Sequence, residues 1–191
     1  MAINAQAAVR QRTPRGQGRA RLIEAAGHLF AEQGFSGTSL QSIADRLGVT
    51  KAAVYHQFSS KEEIAIAVAA PVIDTLRLTA DAAEDLDETA ARALTIAALV
   101  DLALAERSIA AVVRRDPILT HILDAHPPYA EQLARIDALL LGAHPSTERR
   151  IALAFAGGGI MALGALPGLD GPVDDIRAGL IATMTRALDT Q

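Results

Sequence analysis

Thr50, Lys51, Tyr55, His56 and Lys61 crowd hydrogen-bond donors into one short stretch, "VTKAAVYHQFSSKEE", residues 49–63. The chain carries 18 Lys or Arg, yet Lys51 and Lys61 are its only lysines, ten residues apart around this segment. Hydroxyl, imidazole and ammonium groups so placed suit a polyanion, whose phosphate oxygens and base edges accept hydrogen bonds. Catalysis draws little support: there is no H-E-x-x-H, no Glu-x-x-His pair and no G-x-S-x-G. The lack of cysteine removes thiolate chemistry and cysteine-bound zinc. His121, Asp124 and His126 are close enough in sequence to share a metal, but with no further ligand known to converge there they read as a polar rim or cap. No metal and no cofactor is expected.

Charge divides the chain in two. Residues 1–61 hold eight Lys or Arg against three Asp or Glu, a surplus of five, whereas residues 62–191 hold ten against nineteen, a deficit of nine. A basic head on an acidic body attracts a polyanion at one end only. Residues 1–18, "MAINAQAAVRQRTPRGQG", lack the apolar run of a secretory signal and read as a flexible basic arm. Arg10, Arg12 and Arg15, with Arg19 and Arg21, either add attraction to phosphates and enter a minor groove or form a solubilising tail. Absence of cysteine is compatible with a reducing compartment, and a cytoplasmic location is expected.

The elements that must position the donors are helices. Half of the residues are hydrophobic but only 3% are aromatic, so the interior is built from Ala, Leu, Ile and Val, a mixture that favours helices over sheets. Leu22, Ile23, Ala26, Leu29 and Phe30 form a helical stripe within 19–33, and Gly34 can supply its left-handed end. Gly27 inside that helix costs about 1 kcal/mol relative to alanine and marks close packing. Thr38 followed by Gln41 predicts a capping box for a second helix with Leu40, Ile43, Ala44 and Leu47 on its buried side. Gly48 interrupts it, Thr50 caps a third helix running to Phe58, and Ser60 with Glu63 opens a fourth. Two helices joined this tightly make a helix-turn-helix.

Further helices are predicted over 61–80, 88–105, 107–115, 117–141 with a break at His126-Pro127-Pro128, 146–166 and 172–188, with no confident strand and no repeat. The fold class is therefore all-α. A basic arm (1–18) precedes a helix-turn-helix domain (19–62) and a helical domain (63–191).

On the third helix Val54 and Phe58 share one side and can pack beneath it. The other side carries Ala52 and His56, flanked by Ala53 and Tyr55, with Thr50 and Lys51 at the amino-terminal end. A recognition helix offers such early residues to base edges in a major groove, and small alanines let the backbone approach thymine methyls. Thr38 and the first amides of the second helix can hold one set of phosphates; Tyr55, His56 and Lys61 can hold another. Against this stand plainer readings: Phe58 and Tyr55 as core residues, Tyr55 with its hydroxyl at the surface, and Lys61 as a solvated helix-start residue.

Residues 19–64, "RARLIEAAGHLFAEQGFSGTSLQSIADRLGVTKAAVYHQFSSKEEI", resemble the amino-terminal domain of the tetracycline-repressor (TetR) family of transcription regulators. The pattern rests on Thr38, Ile43-Ala44, Gly48-Val49, Tyr55, Phe58 and Lys61, and covers about a quarter of the chain. Ala52 stands where glycine is frequent and Gln57 where histidine is frequent, which leaves the operator sequence open. The resemblance implies a homodimer formed through the last two long helices, a pseudo-palindromic double-stranded DNA operator and a small-molecule effector bound among the middle helices. Apolar or polar-tipped positions there nominate Val72, Leu76, Val100, Leu104, Ile118, His121, Tyr129 and Phe155 as lining residues.

"IALAFAGGGIMALGALPGL", residues 151–169, carries no charge and invites two further readings. Three successive glycines and Pro167 make it a poor membrane span, and too little chain remains to build a sheet around its G-x-G-x-x-A. A helix whose small residues admit a neighbour fits better, with Val173, Ile176, Leu180, Met184 and Ala187 as a complementary stripe. Two copies could bury both faces as a four-helix bundle, with no membrane partner. The functional readings are then a ligand-responsive repressor, a helical enzyme or carrier with a vestigial head, and a nucleoid or protein-interaction factor without an effector.

Overall fold

Gln17 is already helical in a computed structural model that describes residues 17–105, 116–162 and 171–189. Gln17 and Gly18, expected in the arm, are thus the first residues of α1 (Gln17–Gly37). The rest of the arm and the helix expected over 107–115 lie outside the described residues. Leu22, Ala25, Ala26, Leu29 and Phe30 are the buried side of α1, as the stripe requires, and Gly34 breaks the helix with φ 75° and ψ 165°. At Gly27 an added Cβ would meet only Val68 Cγ1, at 3.5 Å, an ordinary contact. Close packing is therefore not what selects glycine there. Gly27→Ala should stabilise the fold by about 0.5–1 kcal/mol through helix propensity, read as a rise in thermal midpoint.

α2 (Leu40–Leu47) buries Ile43 and Ala44 and ends on left-handed Gly48 at φ 65°. After two residues α3 (Lys51–Tyr55) begins, with the Thr50 side chain accepting from the Ala53 amide at 3.2 Å. It stops short of the expected Phe58. The Gln57 and Phe58 amides both donate to the Val54 carbonyl, at 2.9 and 3.0 Å, a turn that tucks Phe58 beneath the helix. α4 (Lys61–Ala83) is capped by Ser60, which accepts from the Glu63 amide, while the Glu63 carboxylate accepts from the Ser59 amide at 2.7 Å.

Beyond it run α5 (Glu88–Ala105), α6 (Pro117–Asp124), α7 (Pro127–Leu141), α8 (Thr147–Ala162) and α9 (Val173–Leu188). The expected proline break separates α6 from α7. Among the described residues all regular structure is helical.

Two apolar clusters organise these helices. One joins Leu22, Leu29, Phe30, Ile43, Val54, Phe58, Ile64 and Ala69 to Leu119 and Leu123 of α6. The other joins Leu76, Ile96, Val100, Ile136, Leu140, Met184 and Leu188. Helix α4 passes from the first to the second around Pro71, an interior proline that cannot donate a helical hydrogen bond. Tyr129 packs against both.

At the far end, Arg92 donates to the Leu140 carbonyl at 2.9 Å, and Arg149 donates to those of Leu188 and Leu141 at 3.0 and 3.2 Å. These satisfy carbonyls that the ends of α7 and α9 leave without helical partners.

Candidate nucleic-acid interface

Val54 and Phe58 are the anchors that decide which side of α3 is free. Both are sealed in the first cluster, at 0% and 1% exposure, so Lys51, Ala52, Ala53, Tyr55, His56 and Gln57 all face outward with Thr50. Tyr55, 51% exposed, is therefore not a core residue. The Lys51 ammonium stands 5.7 Å from the centroid of its ring, a cation–π contact that draws both groups to the same side of the helix. Arg19, grouped in sequence with the amino-terminal arginines at the start of the first helix, lies 4.3 Å above the Phe58 ring. It brings α1 and a further cation to the edge of α3.

Thr38 takes a different place from the one expected. Its side chain is 2% exposed and its hydroxyl donates to the Gly34 carbonyl at 2.8 Å, so it closes the end of α1 instead of capping α2 or facing a phosphate. Ser39 is the cap: it accepts from the Ser42 amide at 3.0 Å, while Ser42 Oγ accepts from the Ser39 amide at 2.9 Å. The sequence does carry the signal, since the residue directly before Leu40, the first of the apolar stripe, is Ser39. The amino-terminal end of α2, with Ser39 and Gln41 exposed, remains on the outside of the head.

Lys61 is also corrected. Its ammonium donates to the Phe35 and Thr38 carbonyls, both at 2.8 Å, and sits 4.1 Å from the Phe35 ring centroid. In the turn between α1 and α2 the Phe35 carbonyl also accepts from the Thr38 amide at 3.2 Å, and the lysine adds a charged donor to it and to the Thr38 carbonyl. It fastens α4 to that turn and is not a merely solvated side chain. Lys61→Met should therefore cost about 2 kcal/mol of stability in urea unfolding, largely independent of salt, because charge-assisted bonds to part-buried carbonyls are lost. A lysine serving only phosphates would leave the unfolding curve unmoved.

The proposed effector-lining residues divide. Leu76 and Val100 are buried in the second cluster and Val72, Leu104 and Tyr129 pack against it. Ile118 is 55% exposed, His121 is exposed and Phe155 is 80% exposed, so these three do not line the body's interior. Burial, helped by the Asp124 charge, raises the Tyr129 pKa above the usual phenol value and keeps it a neutral donor. A cavity of about 540 Å³ opens elsewhere, between Ala80, Leu86, Ala91, Arg135, Leu139 and Gly142, and none of the eight nominated residues lines it. Among the described residues no three His, Asp or Glu side chains gather as a metal site, and no helix is long and apolar enough to cross a membrane.

Comparison with known proteins agrees with this geometry. Residues 22–68 match the profile of "Bacterial regulatory proteins, tetR family". The chain is 40% identical over 65 residues to the HTH-type transcriptional activator FasR of Mycolicibacterium smegmatis, covering 34% of this chain and 30% of that one. It is 44% identical over 46 residues to the HTH-type transcriptional repressor KstR2 of Mycobacterium tuberculosis, covering 24% and 23%. The matched stretch thus spans less than a third of either relative. A TetR-like transcriptional regulator from Rhodococcus sp. RHA1 shares the whole fold, with a TM-score of 0.68 at 22% identity over 94% of this chain and 100% of that one. Residues 22–68 thus carry the amino-terminal domain of the tetR family of bacterial regulatory proteins, and the rest of the chain shares the fold of the solved TetR-like regulator.

Proposed function

We propose that this chain is a ligand-responsive, DNA-binding transcriptional regulator of the cytoplasm that acts as a homodimer. The observation that carries the reading is the outward face of α3, held clear of the core by Val54 and Phe58 on the basic end of the chain. Thr50, Lys51, Ala52, Ala53, Tyr55 and His56 meet the major groove, and the amino-terminal end of α2 meets the phosphates beside it. FasR is named an activator and KstR2 a repressor; repression relieved by a small molecule is the polarity we favour.

The dimer is supported by the outer side of α8 and α9. Ile151, Phe155 and Val173 are exposed there, and added Cβ atoms at Gly158 and Gly159 would meet nothing within 4 Å. The expected stripe on α9 turns partly inward, since Met184 is buried in the second cluster and Leu180 packs against it. A second copy covering the outer side would set two α3 faces on one flank of a duplex. The effector seat is the aliphatic second cluster, where Val72, Leu76, Val100 and Leu104 offer apolar walls and Tyr129 a polar tip. A ligand acts only by binding one dimer shape better than the other.

Selection of bound duplexes from a random pool tests the proposal. Enrichment of an inverted repeat is expected; a pool that emerges unenriched at low ionic strength ends it.

A further inference from the structure

Asp116 joins two parts of the molecule that the sequence keeps 80 residues apart. One carboxylate oxygen accepts from the Ser36 amide at 2.8 Å, in the turn that follows left-handed Gly34. The other accepts from the Ile118 amide at 3.1 Å and the Leu119 amide at 3.3 Å, the first amides of α6, and from the Ser36 hydroxyl at 3.3 Å. The side chain is thus at once the cap of a helix in the body and the acceptor for a turn in the head. It is 7% exposed. Burial pushes its pKa up, but the Ser36, Leu119 and Ile118 donors outweigh burial and leave it below the usual carboxylate value. It therefore remains an anion, the form that accepts from every one of them.

The surroundings give this link leverage. Leu119 and Leu123 of α6 lie in the head's own core, next to Leu29, Phe30 and Phe35. Immediately after α6, Tyr129 of α7 touches that core and the body's core together. On the opposite side of the same turn Lys61 takes the Phe35 carbonyl, so the α1–α2 turn is held from α4 and from α6. Any rearrangement of the body that displaces α6 must either carry the turn with it or break the Asp116 bonds.

We propose that Asp116 is a positioning residue that fixes the orientation of the DNA-reading head on the body, and hence the separation of two heads in a dimer. This rests on the DNA-binding reading above and adds to it the residue through which head and body are kept in register. The substitution Asp116→Asn would separate the two duties of the side chain. Asparagine is as good a helix cap as aspartate, but with one oxygen it cannot serve both α6 and the Ser36 amide.

The test compares wild type and Asp116→Asn on the selected inverted repeat and on a duplex with a single half-site, alongside amide hydrogen exchange of the same proteins. The expected result is a loss of about tenfold or more on the inverted repeat, the order of one charge-assisted bond, with half-site binding unchanged within about twofold. Exchange should accelerate at the Ser36 amide while Ile43 and Val54 of the head and Ile96 of the body keep their protection. Equal losses on both duplexes would show a damaged head and overturn the proposal, as would unchanged binding to both.

Ser36→Ala removes the hydroxyl half of the link and should shift the inverted repeat in the same direction by a smaller factor; no shift there, with Asp116→Asn unfolded, also overturns it. If the wild-type chain ignores every duplex, the DNA-binding reading fails on its own. The exchange measurement then decides the link, and an unaltered Ser36 amide in Asp116→Asn refutes it.

Discussion

Lys51→Glu combined with Ala52→Glu should lower affinity for the selected duplex by at least about 100-fold while leaving the thermal unfolding midpoint nearly unchanged. Ala52, like His56, lies opposite buried Val54 on the helix, and Lys51 is exposed beside it. Glutamates there replace close approach to base edges and an attraction to phosphate with repulsion. Loss of one or two good base or phosphate contacts, at about 1–3 kcal/mol each, gives the stated factor. The fold should be spared for a specific reason. Both positions lie in the first turn of α3, where acidic side chains favour the helix dipole and exposed substitutions shift stability by about 0.5 kcal/mol at most. Fluorescence anisotropy against a labelled duplex, with circular dichroism melting, reads both quantities. Retained affinity would show that another surface holds the DNA.

Phe155→Glu should convert a dimer to a monomer at micromolar concentration without loss of helix content. Phe155 is 80% exposed in a single chain, so its replacement removes no contact on which the monomer depends. Burying such a ring in an interface contributes about 2–3 kcal/mol, and a twofold axis counts it twice. The dimer constant should therefore fall by on the order of 1,000-fold, which sedimentation velocity resolves directly. A variant that still sediments as a dimer would remove α8 from the interface. In the proposed dimer operator affinity depends on two linked heads, so the same variant should bind the inverted repeat little better than a half-site.

The helix-turn-helix is legible in the sequence because its signals are local. Gly34 and Gly48 mark helix ends that take positive φ, and Thr50 caps α3 as its spacing requires. Sequence reasoning errs where local rules compete. Thr38 and Ser39 are adjacent hydroxyls, and only the closing of α1 decides which of them caps α2. Lys61 begins α4 in sequence, but the carbonyls it serves belong to a turn 23 and 26 residues earlier. Phe155 reads as inward because the uncharged run of α8 has no polar side to set its phase; the contacts of Ala152, Leu153, Ala156 and Ile160 with the second cluster set it instead. Asp116 gives no sequence signal beyond a cap before Pro117, since its second partner is remote.

The position of α6 constrains how such a molecule can be recombined. Leu119 and Leu123 complete a core otherwise built from residues 22–69, so a fragment cut after Ala69, or a graft of that fragment onto a foreign sensor, would carry an exposed apolar wound where α6 belongs. Shuffling of readers and sensors must therefore either transplant residues 116–124 with the reader or supply a substitute that fits the same hollow.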